Sequence, residues 1–366
     1  MSRPHDGHHP SFPFGNPFKM RRPKRSPLSP KPIPLLTAFE ARLADRIMKL
    51  MPRETGDILT LSWMRLAMET LSETHTDIKT LITDLQFPTS GWDEKWMHAY
   101  LEDSAKLLDI CIALTFEISK LDQGLLILNY ILHVLDLSVG FSSTDKLFRA
   151  HDSLLEWMHL IGSKALCTAS PRNSKLESCS VLLRELAGFL CSTKLKASSK
   201  EKVLLRAMYG FKAQTVFVCT VFTAALSGSS GPLIDLHVPD ELLWSSPFND
   251  LQTCINGEIR RLYSAGSITV IKEMEFIDGC VIDLNMMIEN LCHHSDVGEI
   301  ETESLHKPVK EMGEIVNRLA QGLDLVSKQV NGFFQIVLSG RDSLLCNLRG
   351  SDDMQENNEM EHVERC

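Results

Sequence analysis

Apolar residues recur every three or four positions through most of the chain, which is the spacing of one face of an α-helix. The first sustained stripe lies between residues 61 and 85, where steps of three and four alternate without a break. Its members are Leu61, Met64, Met68, Leu71, His75, Ile78, Ile82 and Leu85. Phe87-Pro88 follows, and because proline disfavours helical geometry in its predecessor, the helix is predicted to end before it.

A second stripe begins near residue 97 and consists of Met97, Leu101, Ser104, Leu108, Cys111, Thr115 and Ile118. Four more apolar residues stand between its members: Leu107, Ile110, Leu114 and Leu121. They widen the apolar face until most of the circumference is covered. The pattern predicts a helix that is buried on most of its sides.

The most regular stripe lies between residues 305 and 337. It consists of Leu305, Val309, Met312, Val316, Leu319, Leu323, Val326, Val330, Phe333 and Val337. Its steps give a 3.5-residue repeat, which keeps one seam of a helix facing a partner helix. We therefore name these residues the candidate helix-pairing seam.

The segment 213–226 is uncharged and apolar on every side. A fully buried central helix is the favoured interpretation. A membrane span is an alternative, but it needs about 20 apolar residues, and Ser227-Gly228-Ser229-Ser230 interrupts the run. The Val and Thr content leaves a buried strand as a third interpretation.

Local signals divide the chain into helices. The Ser/Thr-x-x-Glu pattern that caps helices occurs at Thr37/Glu40, Ser174/Glu177 and Ser198/Glu201. Loops are predicted at 140–143, 168–174, 195–199, 227–232 and 294–303, where Gly, Ser and Pro cluster. The predicted fold is all-α, an elongated antiparallel bundle of several helices.

The ends of the chain differ from its middle in composition. Residues 1–33 are Pro-rich and hold seven basic residues against one acid, Asp6. Six acids and no Lys or Arg occupy residues 352–364. We predict a disordered basic head over 1–33, a helical domain over 34–349 and a disordered acidic tail over 350–366. These ends suggest charged partners or intramolecular neutralisation, and no nucleic acid is expected.

The head contains a compact basic cluster, Arg21, Arg22, Lys24 and Arg25, as a candidate docking patch. A solvated tail is the plain alternative to docking on anionic lipid or an acidic protein, nuclear import or organelle targeting. Ser26-Pro27 and Ser29-Pro30 follow at once. Phosphorylation of Ser26 and Ser29 would add negative charge and weaken such docking.

Catalytic signals are weak. The sequence lacks the phosphate-binding, dinucleotide-binding, zinc-protease and serine-hydrolase motifs, and its ten cysteines form no CxxC pair. The loop 227–231 lacks the lysine of a phosphate cradle, and Cys292-His293-His294 lacks a second ligand pair. His75 falls on an apolar stripe and is interpreted as a core histidine rather than a general base. We predict no catalytic residue, cofactor or metal.

Four long runs resemble the plant BYPASS family of helical proteins. They begin with Phe12-Pro13-Phe14-Gly15-Asn16-Pro17-Phe18-Lys19, and continue with 62–85, 202–230 and 331–349. The resemblance spans nearly the whole chain. It implies a developmental regulator that restrains a mobile, root-derived, carotenoid-linked signal which otherwise arrests shoot growth. Family members are not known as enzymes.

The leading hypothesis is a non-enzymatic helical interaction protein that binds other proteins, with an anionic membrane surface as a second candidate partner. One alternative is a single-pass or peripheral membrane component of a trafficking or signalling complex. Another is a small-molecule-binding or enzymatic bundle that acts on the signal pathway. The expected location is cytoplasmic and membrane-associated, with the chloroplast as the alternative that the resemblance implies.

Overall fold

The computed structural model describes residues 32–54, 57–85, 94–135, 144–161, 174–188, 199–293 and 304–363. Within these ranges the chain forms nine helices and no strand. They are α1 (Pro32–Lys49), α2 (Leu61–Asp84), α3 (Glu94–Val134), α4 (Thr144–Ile161), α5 (Ser174–Gly188), α6 (Ser199–Ser227), α7 (Ser245–Ser264), α8 (Lys272–His293) and α9 (His306–Val363). The predicted all-α bundle is confirmed.

The helices form two four-membered rings that lie side by side. In one ring α1, α2, α6 and α7 each pack on the next, and in the other α3, α4, α8 and α9 do so. Contacts of α2 with α9 and of α3 with α6 join the rings, and α5 packs on both α3 and α6.

Not every neighbouring pair of helices is antiparallel. Arg42 of α1 contacts Asp77 of α2 and Arg46 contacts Glu73, so these two helices are antiparallel. Gly322 and Gly340 of α9 lie against Leu61 and His75 of α2, respectively, so α2 and α9 run in the same direction.

The stripe between residues 61 and 85 is the buried face of α2. All eight of its residues are buried, and Leu85 forms the C-cap directly after Asp84. The Thr60 side chain accepts a hydrogen bond from the Trp63 amide and caps the other end. The predicted helix and its end before Phe87-Pro88 are confirmed.

Helix α6 lies in the centre of the fold. Every residue from Ala213 to Ala225 is buried, and four of its threonine and serine hydroxyls donate hydrogen bonds to carbonyls one turn earlier. The buried central helix is therefore found, and the strand interpretation is wrong. Residues 200–227 are also long and apolar enough to cross a membrane, with most of the apolar window buried inside the protein.

One predicted helix boundary is wrong. Thr37 does not begin a helix, because α1 begins at Pro32, and the Thr37 hydroxyl donates to the Ile33 carbonyl within the helix. Prolines are tolerated in a first turn, since the amides there have no helical partner. The backbone of α9 continues through Val363, and the division into a head over 1–33, a helical domain over 34–349 and an acidic tail over 350–366 stays a prediction. The residues 351–363 include no proline, and Met, Gln and Glu favour helix.

Candidate functional site

Several polar and ionisable side chains converge inside the part of the chain that the structure describes. They line a small cavity at the junction of the two rings, between α2, α3, α5, α6 and α9. Its polar lining consists of His75, Tyr100, Asp103, Ser104, Lys212 and Thr215. Leucine, methionine, phenylalanine and valine side chains form the rest of the wall.

The charged groups of this cavity are paired across helices. Lys212 on α6 donates to the Asp103 carboxylate on α3 at 2.8 Å. The guanidinium of Arg341 on α9 donates to the Leu101 carbonyl and to the Ser104 hydroxyl. These bonds fix the position of α3 along its axis relative to α6 and α9. The polar groups therefore stabilise helix packing where the rings meet.

His75 is the most deeply buried ionisable group of the cavity. Its ring packs edge-on against Phe211 and Phe333, with centroids 5.1 and 6.3 Å away. Burial, together with the charge of Lys79, lowers the pKa of His75 from 6.5 to about 3. The Nδ1 atom of this imidazole has no hydrogen-bond partner within the described protein. A neutral imidazole in an aromatic setting is the state that these surroundings favour.

The size of the cavity limits its chemistry. Its volume of about 30 Å³ accommodates one or two water molecules rather than a substrate. Burial raises the pKa of Tyr100 to about 12, which keeps its hydroxyl protonated. In this arrangement His75 and Tyr100 lie beside the Lys212–Asp103 ion pair. The cavity leaves no space for a reacting molecule between these groups.

A larger, open groove lies on the surface between α3 and α4. It has a volume of about 530 Å³ and is lined by Gln123, Leu126, Ile127, Glu156, His159 and Leu160. The side chain of Leu126 is 71% exposed. Nothing in the lining combines a nucleophile with a base, so the groove is a surface feature without evident chemistry.

The structure places the predicted site residues as follows. Nine of the ten residues of the helix-pairing seam are buried and Val309 is partly buried; α9 packs on α2, α3 and α8. His75 lies in the core, as its stripe predicts. The docking patch Arg21, Arg22, Lys24 and Arg25 and the phosphorylation sites Ser26 and Ser29 lie outside the described residues.

Among the residues that the structure describes, no group of three or more His, Cys, Asp or Glu side chains is placed to hold a metal ion. Three buried cysteines from different helices, Cys111, Cys179 and Cys219, have pKa values that burial raises. Protonated thiols of this kind behave as small apolar side chains.

Sequence reasoning missed the polar partners of the cavity. The Lys212–Asp103 pair is 109 residues apart, and Arg341 is 237 residues from Ser104. No local pattern links such residues. A weak signal exists in Ser104, which interrupts an otherwise apolar stripe and is buried in the structure.

Fold and cavity together define an all-helical bundle protein whose convergent polar groups surround a cavity of water size. The comparisons with known proteins then identify the family. Residues 170–347 match the model of the family described as Protein ROH1-like. The chain belongs to the BYPASS-related family of plant proteins, and the predicted resemblance is confirmed.

Three relatives show how far the similarity extends. Protein BPS1, chloroplastic, from Arabidopsis thaliana is 45% identical, over 95% of this chain and 93% of the relative. Two proteins named UPF0496 protein 4, from the japonica and indica subspecies of Oryza sativa, are each 38% identical over 96% of this chain and 98% of the relative. No solved structure matches the chain.

Proposed function

We propose that this chain is a non-catalytic helical interaction protein of plant development, which binds other proteins and docks on an anionic membrane surface through its basic head. The observation that supports this proposal is the small cavity where the two rings of helices meet. It gathers His75, Tyr100, Asp103 and Lys212, yet it has the volume of one or two waters. These groups support helix packing rather than a reaction.

The family supports the biological side of the proposal. The BYPASS resemblance implies a developmental regulator that restrains a root-derived, carotenoid-linked signal. Nothing in the names of the relatives specifies a reaction. The name of the Arabidopsis relative includes the word chloroplastic, which supports the chloroplast as an alternative location to the cytoplasmic, membrane-associated one.

The rival is a small-molecule-binding or enzymatic bundle that acts on the signal pathway. The observation that favours it is the Nδ1 atom of His75, which lies in the wall of a cavity and has no hydrogen-bond partner among the residues that the structure describes. Such a protein would need the cavity to open. Its chemistry would then depend on His75, on the Lys212–Asp103 pair or on both.

One experiment separates these two functions. Plants that lack the protein receive one of three genes. These are the wild-type gene, a gene for the double variant Asp103→Asn with Lys212→Met, and a gene for the single variant His75→Gln. Circular dichroism and thermal unfolding of the purified variants establish that each is folded. Our proposal expects folded variants to restore shoot growth fully, because no chemistry is lost. Folded variants that fail to restore growth would support the rival.

Docking of the head has its own test. The full chain should sediment with vesicles of phosphatidylcholine and phosphatidylserine, and not with phosphatidylcholine alone. Replacing Arg21, Arg22, Lys24 and Arg25 with Gln should abolish sedimentation, because each base near an anionic surface contributes about 1 kcal/mol. Ser26→Asp with Ser29→Asp should weaken it. Binding that ignores these changes would contradict the proposed role of the head.

Membrane insertion of α6 is the second structural alternative. By length and composition, the segment 200–227 could cross a membrane. Its burial among α1, α2, α3, α5 and α7 favours a core helix instead. Carbonate extraction of a tagged protein distinguishes the two. Our proposal expects release into the supernatant, and retention in the pellet would indicate insertion.

A further inference from the structure

Helix α3 has a second apolar stripe on its outer side, separate from the stripe that it buries. Four large apolar side chains of this helix are between 41% and 71% exposed, namely Ile112, Phe116, Leu126 and Tyr130. Ser119 and Gln123, which are also exposed, stand between the two apolar pairs. Steps of four and three residues alternate along these six positions, so they form one line over about 27 Å of helix. We name these six residues the α3 seam.

The α3 seam is exposed although α3 packs on α4, α5, α6 and α9. The ammonium of Lys175 lies 3.4 Å from the ring centroid of Phe116. The ammonium of Lys120, which pairs with Glu117 of its own helix, lies 5.6 Å from the same centroid. Both ammonium groups together still leave this ring partly exposed. An exposed apolar surface of this kind is typical of a region that another molecule covers.

The order of residues along the α3 seam makes it self-complementary. In a symmetric dimer, two copies of α3 can pack antiparallel about a two-fold axis level with Leu121, and residues equally far from Leu121 then face each other. Phe116 and Leu126 are both five residues from Leu121, and Ile112 and Tyr130 are both nine residues from it. Ser119 faces Gln123 in the same way. Each apolar side chain therefore meets an apolar one, and each polar side chain meets a polar one.

The positions that continue the seam at its two ends decide the orientation. Asp109 and His133 are both exposed, and each is twelve residues from Leu121. In the antiparallel arrangement Asp109 faces His133 of the second copy, and an imidazole N–H can donate to the carboxylate. In a parallel arrangement each residue would face its own counterpart, and Asp109 would meet Asp109, which is a repulsive pair. The charges therefore favour the antiparallel arrangement.

We infer that the chain forms a two-fold symmetric homodimer, in which α3 of one copy packs antiparallel on α3 of the other through the α3 seam. Covering positions 109–133 on both copies removes on the order of 1,200 Å² from solvent, which is the lower end of the range for stable interfaces. The dimer is an interaction beyond the proposed function. It depends neither on the basic head nor on a membrane.

Sedimentation equilibrium of the full chain tests the dimer. We expect wild type to be dimeric at about 100 μM protein. Leu126→Glu should weaken the dimer about tenfold or more, because a carboxylate would face Phe116 of the second copy in an apolar contact. Leu325→Glu is the matched control, since Leu325 is similarly exposed on α9, outside the seam, and this variant should remain dimeric. Circular dichroism and thermal unfolding establish that both variants are folded.

A monomeric wild type at this concentration would overturn the inference, and the seam would then be free for a helix of another protein. Equal weakening by Leu126→Glu and Leu325→Glu would also overturn it, because the association would then not depend on the α3 seam. Either result would leave the proposed docking of the head untouched, since vesicle sedimentation tests that function separately.

An exchange of charges tests the antiparallel register. His133→Glu would face Asp109 of the second copy and should weaken the dimer about threefold or more, since the repulsion occurs twice. Asp109→Lys combined with His133→Glu restores opposite charges and should recover at least the wild-type affinity. In a parallel dimer the double variant would place Lys against Lys and Glu against Glu, and the affinity would not recover. That result would refute the antiparallel pairing of α3.

Discussion

Both carboxylate oxygens of Glu273 accept a hydrogen bond from the backbone amide of Leu61, at 3.0 and 3.1 Å. Leu61 is the first residue of α2 and Glu273 lies in the first turn of α8. The amide of Lys272 also donates to the Leu59 carbonyl at 3.3 Å. A carboxylate at a helix N-terminus is stabilised by the unpaired amides there, so α8 caps α2 across 212 residues of sequence.

We expect Glu273→Ala to destabilise the fold by about 1–2 kcal/mol, because the Leu61 amide loses its acceptor in a half-buried place. Urea unfolding followed by circular dichroism measures this. Glu289→Ala is the control, since Glu289 is exposed on the same helix and should change stability by less than about 0.5 kcal/mol. Equal effects of the two changes would show that Glu273 is not a cap.

The burial of His75 predicts an acid-sensitive fold. Its folded pKa of about 3 lies below the unfolded value of about 6.5, so between these pH values only the unfolded chain takes up this proton. Stability therefore falls as the pH drops below about 6.5, by up to about 1.4 kcal/mol per pH unit from this group. His75→Gln cannot be protonated and should lose less stability than wild type between pH 7 and pH 5.

The comparison uses urea unfolding at both pH values, and other groups that titrate cancel in the difference between variant and wild type. His159→Gln is the control, because it removes an imidazole that is exposed on α4 rather than buried in the core. An unchanged pH dependence in His75→Gln would mean that the imidazole is protonated with equal ease in the folded and unfolded states.

Two glycines of α9 should respond oppositely to alanine. A Cβ at Gly322 would lie 2.7 Å from Leu61 Cδ1 and 3.0 Å from Leu61 Cβ, whereas a Cβ at Gly332 meets nothing within 4 Å. We expect Gly322→Ala to destabilise by about 1–3 kcal/mol, since α2 and α9 must separate. Gly332→Ala should stabilise by up to about 1 kcal/mol through helix propensity. Thermal unfolding measures both, and a stabilising Gly322→Ala would contradict the close packing.

The sequence predicts those parts of the fold that depend on local periodicity. The stripe of α2 and the buried run of α6 are recognisable because each residue repeats a spacing within its own helix. The start of α1 was missed because the Ser/Thr-x-x-Glu pattern at Thr37/Glu40 also occurs inside helices. Within α1, Glu40 is 2% exposed and pairs with Arg206 of α6 at 2.5 Å. This contact between helices overrides the capping signal.

The cavity and the ring architecture could not be predicted in the same way. Asp103 and Lys212 are ordinary surface residues by composition, and only the packing of α3 on α6 makes them a pair. Glu273 and Leu61 likewise form a pair only because α8 packs against the start of α2. Long-range pairing depends on the order in which helices pack, and a single sequence carries no periodic signal for it.

Gln252 holds the segment between α6 and α7 in place. Its side-chain oxygen accepts from the Leu236 amide at 2.9 Å, and its side-chain nitrogen donates to the Leu236 carbonyl at 3.1 Å. The amide thus pairs with both backbone groups of one residue, as a neighbouring strand would. Because Leu236 and Gln252 are buried, no water replaces these bonds when the side chain is removed.

We therefore expect Gln252→Leu to destabilise the fold by about 2–3 kcal/mol and to expose the Leu236 amide to solvent. Hydrogen exchange with residue-level detection should show faster exchange at Leu236, while amides within α2 keep their protection. Gln321→Leu is the control, because Gln321 is exposed on α9 and its side-chain nitrogen donates to Asn317, one turn earlier on the same helix, at 3.3 Å. Unchanged exchange at Leu236 would mean that packing of Leu236 and Val238, rather than the Gln252 amide, fixes this segment.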